Sequence, residues 1–315
     1  WAQASPSRAL QDLPLADVWI EAFACEIPEA FVAHAVASRA QQPVWINLEY
    51  LSAEDWVPRL HGLPSPVMSG PAKGWTKRFV YPGFVPGTGG LLREADLSAR
   101  QQAFDRPALR TQLAPEPSPT LLSRRRLVSL FCYEPAGLPQ LLAQLASSAD
   151  DLLLVTPGRP LVAVQQALQG LAQPPHWRAL PYCAQDDFDA LLWACDLNFV
   201  RGEDSFVRAQ WAGRPFVWHI YPQEDGVHLE KLEAFLARFL DGMEDLALAR
   251  HIRDWHLLVN GALTAQAFQT RHAAHWPWPA ADRLDAWQRH CERWRERLLT
   301  QADLCDTVEK LLQAS

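Results

Sequence analysis

The stretch NFVRGEDSFVRAQWAGRPFVWHIYPQ, residues 198–223, predicts a strand, a tight polar turn, a helix and a second strand. The apolar run Leu197–Val200 suits a buried parallel strand. Asp204 or Ser205 can cap the helix, and Gly213 can end it in a left-handed conformation because glycine has no Cβ. This pattern places a helix N-terminus after a strand, where amide N–H groups and the helix dipole together favour an anion.

Strands and helices alternate elsewhere in the chain as well. Strands are predicted at Asp17–Phe23 and Pro43–Tyr50, with a helix at Pro28–Arg39 between them. Farther along, a buried strand is predicted at Leu127–Tyr133, and a helix with an acidic first turn at Gln185–Ala194. The alternation predicts an α/β fold with parallel sheets, which bind ligands at the carboxyl ends of their strands.

A proline-rich segment, Arg106–Arg126, suggests where the chain divides. It holds Pro107, Pro115, Pro117 and Pro119 and ends in three consecutive arginines, which indicates a linker with a solvated charged face. We predict an N-terminal domain with linker at residues 1–125, a second domain at 126–290, and C-terminal helices at 291–315 that pack back toward the first domain. Residues 255–281, which include HWPWP at 275–279, are predicted to be less regular.

Composition and charge limit the possible classes of function. At 315 residues the chain is long enough for two domains, each with its own core. The net charge of −7 argues against nonspecific nucleic-acid binding, and no apolar run reaches the length of a membrane span. The six cysteines form no CxxC pair and the ten histidines no ligand motif. This predicts mostly buried, reduced thiols in a cytoplasmic protein without a metal site.

Aromatic residues near the predicted strand ends are candidates for stacking on a nucleotide base, namely Phe131, Tyr133, Tyr182 and Phe188. One such stack contributes roughly 1–3 kcal/mol, but packing in the core is the alternative interpretation for each ring. The glycine-rich segment Gly83–Gly90 allows positive φ and close approach to a ligand. An ordinary surface loop is the alternative there.

Several long blocks carry a resemblance to a known family. They are FACEIPEAF at 23–31, INLEYLSAEDWV at 46–57, HGLPSP at 61–66, PGFVPGTGGLLRE at 82–94, SLFCYE at 129–134 and RGEDSFVRAQWAGRPFVWHIYPQED at 201–225. In this order they resemble the EarP family, protein-arginine rhamnosyltransferases that modify translation elongation factor P. The resemblance implies a GT-B fold with two Rossmann-like domains facing a cleft. It also implies a cytoplasmic enzyme that moves L-rhamnose from dTDP-β-L-rhamnose to an arginine of elongation factor P, with inversion and without a metal or other cofactor.

The resemblance also implies roles for individual residues. Donor binding is expected of Phe131, Tyr133, Tyr182, Gln185, Phe188, Arg201, Gly202, Glu203, Asp204, Ser205, Tyr221 and Gln223. Tyr182 and Phe188 would flank the thymine, and the Ser205 hydroxyl would bond the diphosphate. Gly87, Thr88, Gly89 and Gly90 would form a cleft loop. Glu203 is the candidate catalytic residue. The alternatives for it are hydrogen bonds to ribose or rhamnose hydroxyls and an Arg201–Glu203 pair that braces the turn.

One departure from the family pattern concerns the start of the chain. Family members begin with a strand and a loop of the type DNxGDIGVCWRLA, whose aspartates are expected to act as the base, whereas this sequence begins at Trp1. We therefore expect the chain as given to bind donor and to turn it over slowly. A GT-B transferase for another acceptor and a non-catalytic nucleotide-sugar-binding module are the alternative functions.

Overall fold

The structure is a computed structural model that describes residues 14–114, 125–272 and 280–313. The strands are β1 (Val18–Ala22), β2 (Val44–Leu48), β3 (Pro64–Pro66), β4 (Thr76–Val80), β5 (Arg126–Leu130), β6 (Asp151–Val155), β7 (Trp177–Ala179), β8 (Leu197–Arg201) and β9 (Phe216–His219). The helices are α1 (Glu29–Ser38), α2 (Val57–Leu60), α3 (Leu97–Ala103), α4 (Arg106–Leu113), α5 (Leu138–Ala146), α6 (Arg159–Leu168), α7 (Gln185–Ala194), α8 (Asp204–Ala212), α9 (Val227–Phe239), α10 (Leu246–Val259), α11 (Ala265–His272), α12 (Ala281–Leu299) and α13 (Leu304–Gln313).

The chain divides into two compact units, Trp1–Arg93 with Thr300–Ser315, and Glu94–Leu299. The first unit contains a sheet in the order β1-β2-β4-β3, in which β3 is antiparallel and the other pairs are parallel. Its core is built on Trp19, Val32 and Trp45. The end of the chain belongs to this unit, where the Leu304 amide donates to the Leu91 carbonyl over 3.1 Å.

The second unit contains a fully parallel sheet in the order β7-β6-β5-β8-β9. Its central strands are apolar, and Leu127, Leu153 and Phe199 are completely buried. The chain moves outward from β5 in one direction through β6 and β7, and in the other through β8 and β9. A ligand crevice is expected at this reversal, outside the carboxyl ends of β5 and β8. The predicted α/β fold with parallel sheets is confirmed.

The border between the units differs from the one predicted at residue 125. Arg106–Leu113 is a helix of the second unit, not part of a linker. The Asp105 carboxylate caps it by accepting from the Ala108 amide, and Pro107 is compatible with a first helical turn, which lacks an amide acceptor in any case. Arg106 holds the helix on the second unit through an ion pair of 2.6 Å with Asp196.

The rest of the segment Arg106–Arg126 agrees only in part with the predicted linker and its solvated charged face. Arg126 begins β5 and pairs with the buried Asp151 at 2.5 Å. Pro115, Pro117, Pro119 and Arg124 lie outside the described residues. The second predicted border, at residue 290, falls inside α12, which continues in the second unit to Leu299.

The segment predicted to be irregular, residues 255–281, is largely helical where it is described, because α10 and α11 cover much of it. The Asp245 carboxylate caps α10 by accepting from the Leu248 amide over 3.0 Å, and Ile252 and Trp255 are buried along one face. Polar residues are frequent in α10, and for that reason its apolar periodicity was not recognised in the sequence. HWPWP, residues 275–279, lies outside the described residues.

Burial of the cysteines differs in part from the prediction. All six thiols are free, but only Cys132, Cys195 and Cys291 are buried, whereas Cys25, Cys183 and Cys305 are exposed. In the part of the chain that the structure describes, no helix combines the length and apolar character required to cross a membrane.

Buried histidines make the second unit sensitive to acid. Burial lowers the pKa of His251 to about 3 and those of His219 and His256 to about 4, from the ordinary value of 6.5. His251 must be neutral to accept the hydrogen bond that the Trp255 indole donates to its Nε2 atom over 3.1 Å. Between pH 6.5 and 4 the unfolded chain therefore binds protons that the folded chain excludes.

We expect the free energy of unfolding of the second unit to decrease as the pH falls through that window. Urea titrations followed by hydrogen exchange of the β5 and β8 amides would measure this dependence. His256→Gln should flatten the pH dependence, and His176→Gln, at an exposed site, should leave it unchanged. Identical pH profiles for wild type and His256→Gln would contradict the assignment.

Candidate functional site

A cavity of about 750 Å³ opens at the carboxyl ends of the second unit's strands. Its wall consists of Phe131, Tyr133, Thr156, Pro157, Gly158, Arg159, Pro181, Tyr182, Cys183, Ala184, Gln185, Phe188, Arg201, Gly202, Glu203, Asp204 and Ser205. The volume lies within the range of pockets that enclose a cofactor or a drug-sized ligand. Because this wall follows β5, β6, β7 and β8, the cavity lies where the sheet topology predicts a ligand.

Arg201, the last residue of β8, stands against two aromatic rings of the cavity wall. Its guanidinium carbon lies 4.4 Å from the centre of the Phe131 ring and 4.8 Å from that of Tyr133. Both distances are within the range of cation–π attraction. Phe131 in turn meets Phe188 edge to face at 5.1 Å. The arrangement fixes a positive charge on an aromatic wall. These ring contacts of Arg201 differ from the pair with Glu203 that the sequence suggested as an alternative.

Gly202 makes the turn after β8 possible. Its φ is +59°, and a Cβ at this position would lie 3.1 Å from the Tyr133 hydroxyl. A larger residue would therefore be strained in its backbone and would press on the pocket wall. The turn leads directly into α8, whose first residues Asp204 and Ser205 also line the cavity.

The Ser205 hydroxyl bonds to the backbone of Arg201 at the turn. It accepts from the Arg201 amide over 3.0 Å and donates to the Arg201 carbonyl, and the residue is only 5% exposed. The side chain thus closes the strand–turn–helix connection while the residue also lines the cavity. A serine hydroxyl near a helix start commonly bonds to local backbone in this way, and contact of Ser205 with a diphosphate stays a prediction.

Arg208 is the centre of a network of charges that includes Asp204 on the cavity wall and the buried Asp189. Arg208 is 6% exposed and donates to both carboxylate oxygens of Asp189, at 2.8 and 2.9 Å, and to Glu94 at 2.8 Å. Its Nε atom also reaches Asp204, one turn earlier on α8, at 3.3 Å. Burial opposes the charge on Arg208, but the bonds to Asp189 and Glu94 raise its pKa above the ordinary value.

This network holds two cavity residues in place. The Gln185 side-chain amide lies beside both Asp204 and Arg208, and Arg100 adds a contact of 3.0 Å with Asp186 in the first turn of α7. Since α7 and α8 both begin at the cavity, the network fixes the spacing of two helix N-termini there. These N-termini present backbone N–H groups and partial positive charge to a bound anion.

The family model described as "Elongation-Factor P (EF-P) rhamnosyltransferase EarP" matches residues 1–313 of the chain. The chain belongs to the EarP family. A protein-arginine rhamnosyltransferase of Pseudomonas putida KT2440 is 44% identical over 304 residues, which cover 93% of this chain and 77% of that protein. One from Shewanella oneidensis MR-1 is 39% identical over 320 residues, covering 95% and 78%.

Among solved structures, one on the structural basis for EarP-mediated arginine glycosylation of translation elongation factor EF-P aligns with a TM-score of 0.59. The two chains are 34% identical, and the match covers 74% of this chain and 75% of the other. The predicted family, the GT-B fold class and the enzyme class, protein-arginine rhamnosyltransferase, are therefore confirmed.

For this EarP-family chain, the cavity brings together most of the residues expected to bind the donor. Tyr182 is 83% exposed at the cavity wall, and Phe188 and Gln185 lie in the first turns of α7. Tyr221 packs edge-on against Tyr133 at 5.6 Å, while the Gln223 amide donates to His228 Nδ1 over 3.1 Å. Neither Tyr221 nor Gln223 is among the described residues of the cavity wall. Their donor role stays a prediction.

Sequence reasoning missed the part of the wall that follows β6, residues 156–159. Gly158 there has a φ of +88°, and Arg159 is a second arginine beside the cavity. The signal was available, because Thr156-Pro157-Gly158 follows the apolar run 152–155 and precedes an amphipathic stretch, as a strand–turn–helix connection at the same edge of the sheet would.

The predicted cleft loop belongs to the first unit, and packing explains its glycines. A Cβ on Gly90, whose φ is +72°, would lie 2.1 Å from the Ala302 carbonyl oxygen, and one on Gly89 would lie 3.1 Å from Leu304. Thr88 closes the loop by donating its hydroxyl to the Val85 carbonyl over 2.7 Å. Gly87 is exposed beside these residues. Contact of the loop with a ligand stays a prediction.

Proposed function

We propose that this protein transfers L-rhamnose from dTDP-β-L-rhamnose to an arginine side chain of translation elongation factor P, in the cytoplasm and with inversion at the anomeric carbon. Membership in the EarP family supports the sugar and the acceptor. The observation that carries the donor assignment is the aromatic cavity of about 750 Å³, into which Arg201 and the start of α8 bring positive charge.

The cavity offers separate surfaces for the two halves of a nucleotide diphosphate. Tyr182 and Phe188 would pack against the thymine with their aromatic faces and edges. Because stacking tolerates any flat base, polar neighbours such as Gln185 would select thymine over other bases. The diphosphate would lie against Arg201 and the first amides of α8. Charge-assisted hydrogen bonds from a guanidinium are stronger than neutral ones, by roughly a factor of two.

Arg201 and the α8 N-terminus would also stabilise the leaving group. As the bond between the anomeric carbon and the diphosphate oxygen breaks, negative charge grows on that oxygen. Arg201, held on Phe131 and Tyr133, and the α8 N-terminus are donors that need no reorganisation at that moment. The proposed reaction assigns this electrostatic role to the chain's own residues and requires no metal or other cofactor.

The acceptor needs a base because a free arginine is protonated, with a pKa above about 12. In a single displacement, an arginine nitrogen bonds to the anomeric carbon, dTDP leaves with the electron pair, and a carboxylate takes the proton. Besides the aspartates of the family's DNxGDIGVCWRLA-type loop, Glu203 is our candidate for this base among the described residues. It lies at the N-cap position of α8, on the cavity wall between Arg201 and Asp204.

Titration calorimetry with dTDP-β-L-rhamnose, dTDP and UDP-glucose tests the donor assignment. We expect dTDP-selective binding, and we expect Tyr182→Ala to weaken it by about five- to a hundred-fold, because one base stack is worth roughly 1–3 kcal/mol. Tyr182 is largely exposed, so its removal should not disturb the fold. Val162→Ala, an exposed apolar site on α6 that is not on the cavity wall, is the control. Unaltered affinity in Tyr182→Ala would place the base elsewhere.

A further inference from the structure

A second cavity, of about 390 Å³, lies in the second unit among α3, the start of α4, the end of α8 and α12. Its wall includes three aromatic side chains, three arginines and one carboxylate, namely Phe104, Trp193, Trp211, Arg106, Arg214, Arg295 and Glu292. Among the described residues, this wall and the wall of the donor cavity have no member in common. The second cavity is therefore a separate feature that the proposed reaction does not use.

Positive charge dominates this wall, because Arg106, Arg214 and Arg295 face a single carboxylate, that of Glu292. Arg106 is already engaged by Asp196 at 2.6 Å and by the Trp193 carbonyl at 3.2 Å. The Glu292 carboxylate accepts a hydrogen bond of 2.8 Å from Gln288. The guanidinium groups of Arg214 and Arg295 are thus the ones on this wall that can still donate hydrogen bonds to a ligand.

Arg214 is a partly buried cation that has no close partner in the part of the chain that the structure describes. The structure records no hydrogen bond or ion pair for it within residues 14–114, 125–272 and 280–313. Burial, with repulsion from Arg106, lowers its pKa to about 10, although Asp196 and Glu292 act in the opposite direction from a distance. A buried charge that lacks a partner is costly, and native proteins normally pair it.

Arg295, on α12, brings a second guanidinium to the cavity wall. Its guanidinium donates to Gln101 Oε1 over 3.2 Å, but its buried Nε atom has no acceptor among the described residues. The side chain packs on Gly213, where a Cβ would come within 3.0 Å of it. Gln101 is itself anchored to the last carbonyls of α8 at 3.3 Å. The Arg295 donor is therefore held in position before any ligand arrives.

We propose that this cavity is a second anion site that binds a phosphate group through Arg214 and Arg295. Arginine suits this ligand because its planar fork of N–H donors matches the oxygens of a phosphate. The cavity is larger than a single phosphate requires, and Phe104, Trp193 and Trp211 line the remainder. It can therefore accept either inorganic phosphate or the phosphate of a small phosphorylated sugar.

The test uses the full chain and occupies the donor cavity first. With dTDP present at saturation, inorganic phosphate and glucose 1-phosphate are titrated by calorimetry. We expect binding that Arg214→Gln weakens by about ten- to a hundred-fold, as for a lost hydrogen bond to a charged group, while the affinity for dTDP stays unchanged. Arg253→Gln, which removes an exposed arginine on α10, should bind both probes as the wild type does.

Tighter binding of glucose 1-phosphate than of phosphate would support a phosphorylated small molecule as the ligand, and equal affinities would support free phosphate. Arg295→Gln provides the same test should Arg214→Gln fail to fold. The proposal is overturned if neither probe binds, if both variants bind as the wild type does, or if Arg214→Gln weakens dTDP instead. Failure of dTDP to bind would count against the proposed donor cavity and can be distinguished from these results.

Discussion

Arg208→Met is expected to reduce the free energy of unfolding of the second unit by about 3–5 kcal/mol. The substitution keeps much of the volume but leaves Asp189, which is 3% exposed in its side chain, without the Arg208 Nη1 group that donates to both of its oxygens. Arg100, at 3.3 Å from Asp189, offers partial compensation, which places the expected loss toward the lower end of that range. Guanidinium chloride titrations, followed by hydrogen exchange of β8 amides, would measure it.

Two further variants separate the cost of an unpaired charge from simple loss of packing. The double variant Arg208→Met with Asp189→Leu should recover most of the stability, because a buried ion pair can be replaced by apolar groups at little net cost. Arg253→Met removes an arginine whose ion pair with Glu233 is largely exposed, and it should cost about 0–1 kcal/mol. A loss in Arg208→Met no greater than in Arg253→Met would contradict the account.

Glu203→Gln is expected to lower kcat for rhamnosyl transfer by about 10²–10⁴-fold, the usual contribution of a general base. The amide retains the shape of the side chain and cannot take the proton from the acceptor arginine. Because Arg201 and the α8 amides are unchanged, calorimetry should show donor affinity close to that of the wild type. The measurement combines single-turnover transfer rates with donor titrations.

Glu224→Gln is the matched control for that experiment, since Glu224 is an exposed glutamate that is not on the cavity wall. Equal transfer rates for Glu203→Gln and Glu224→Gln would remove Glu203 from the reaction. A loss of donor affinity with an unchanged kcat would instead assign Glu203 to sugar binding. In that case another carboxylate must supply the base.

Local signals predicted the elements that form the donor cavity. The acidic first turn of Gln185–Ala194 and the glycine at Gly213 identified α7 and the end of α8 with the bounds seen in the structure. The aromatic and polar residues at the strand ends also followed from topology, because parallel strands bring their carboxyl ends to one edge. Such signals depend on neighbours in sequence, which is why they could be read without a structure.

Features that depend on distant residues could not be read in this way. Arg208 meets Glu94 across 114 positions of sequence, and nothing near either residue indicates the other. The prolines of Arg106–Arg126 suggested a linker, but Pro107 occupies a first helical turn that tolerates it. The bonds of the Ser205 hydroxyl to the Arg201 backbone, four positions earlier, were also not foreseen.

The most direct test of the central claim is mass spectrometry of elongation factor P after incubation with this protein and dTDP-β-L-rhamnose. We predict the mass gain of a single deoxyhexose on one arginine, accumulating slowly for the chain as given, and no gain when UDP-glucose replaces the donor. Loss of the gain in Arg201→Gln would connect transfer to the cavity beside α8. Unmodified elongation factor P, in a sample that binds dTDP-β-L-rhamnose, would contradict the proposed transfer and favour a protein that only binds the nucleotide sugar.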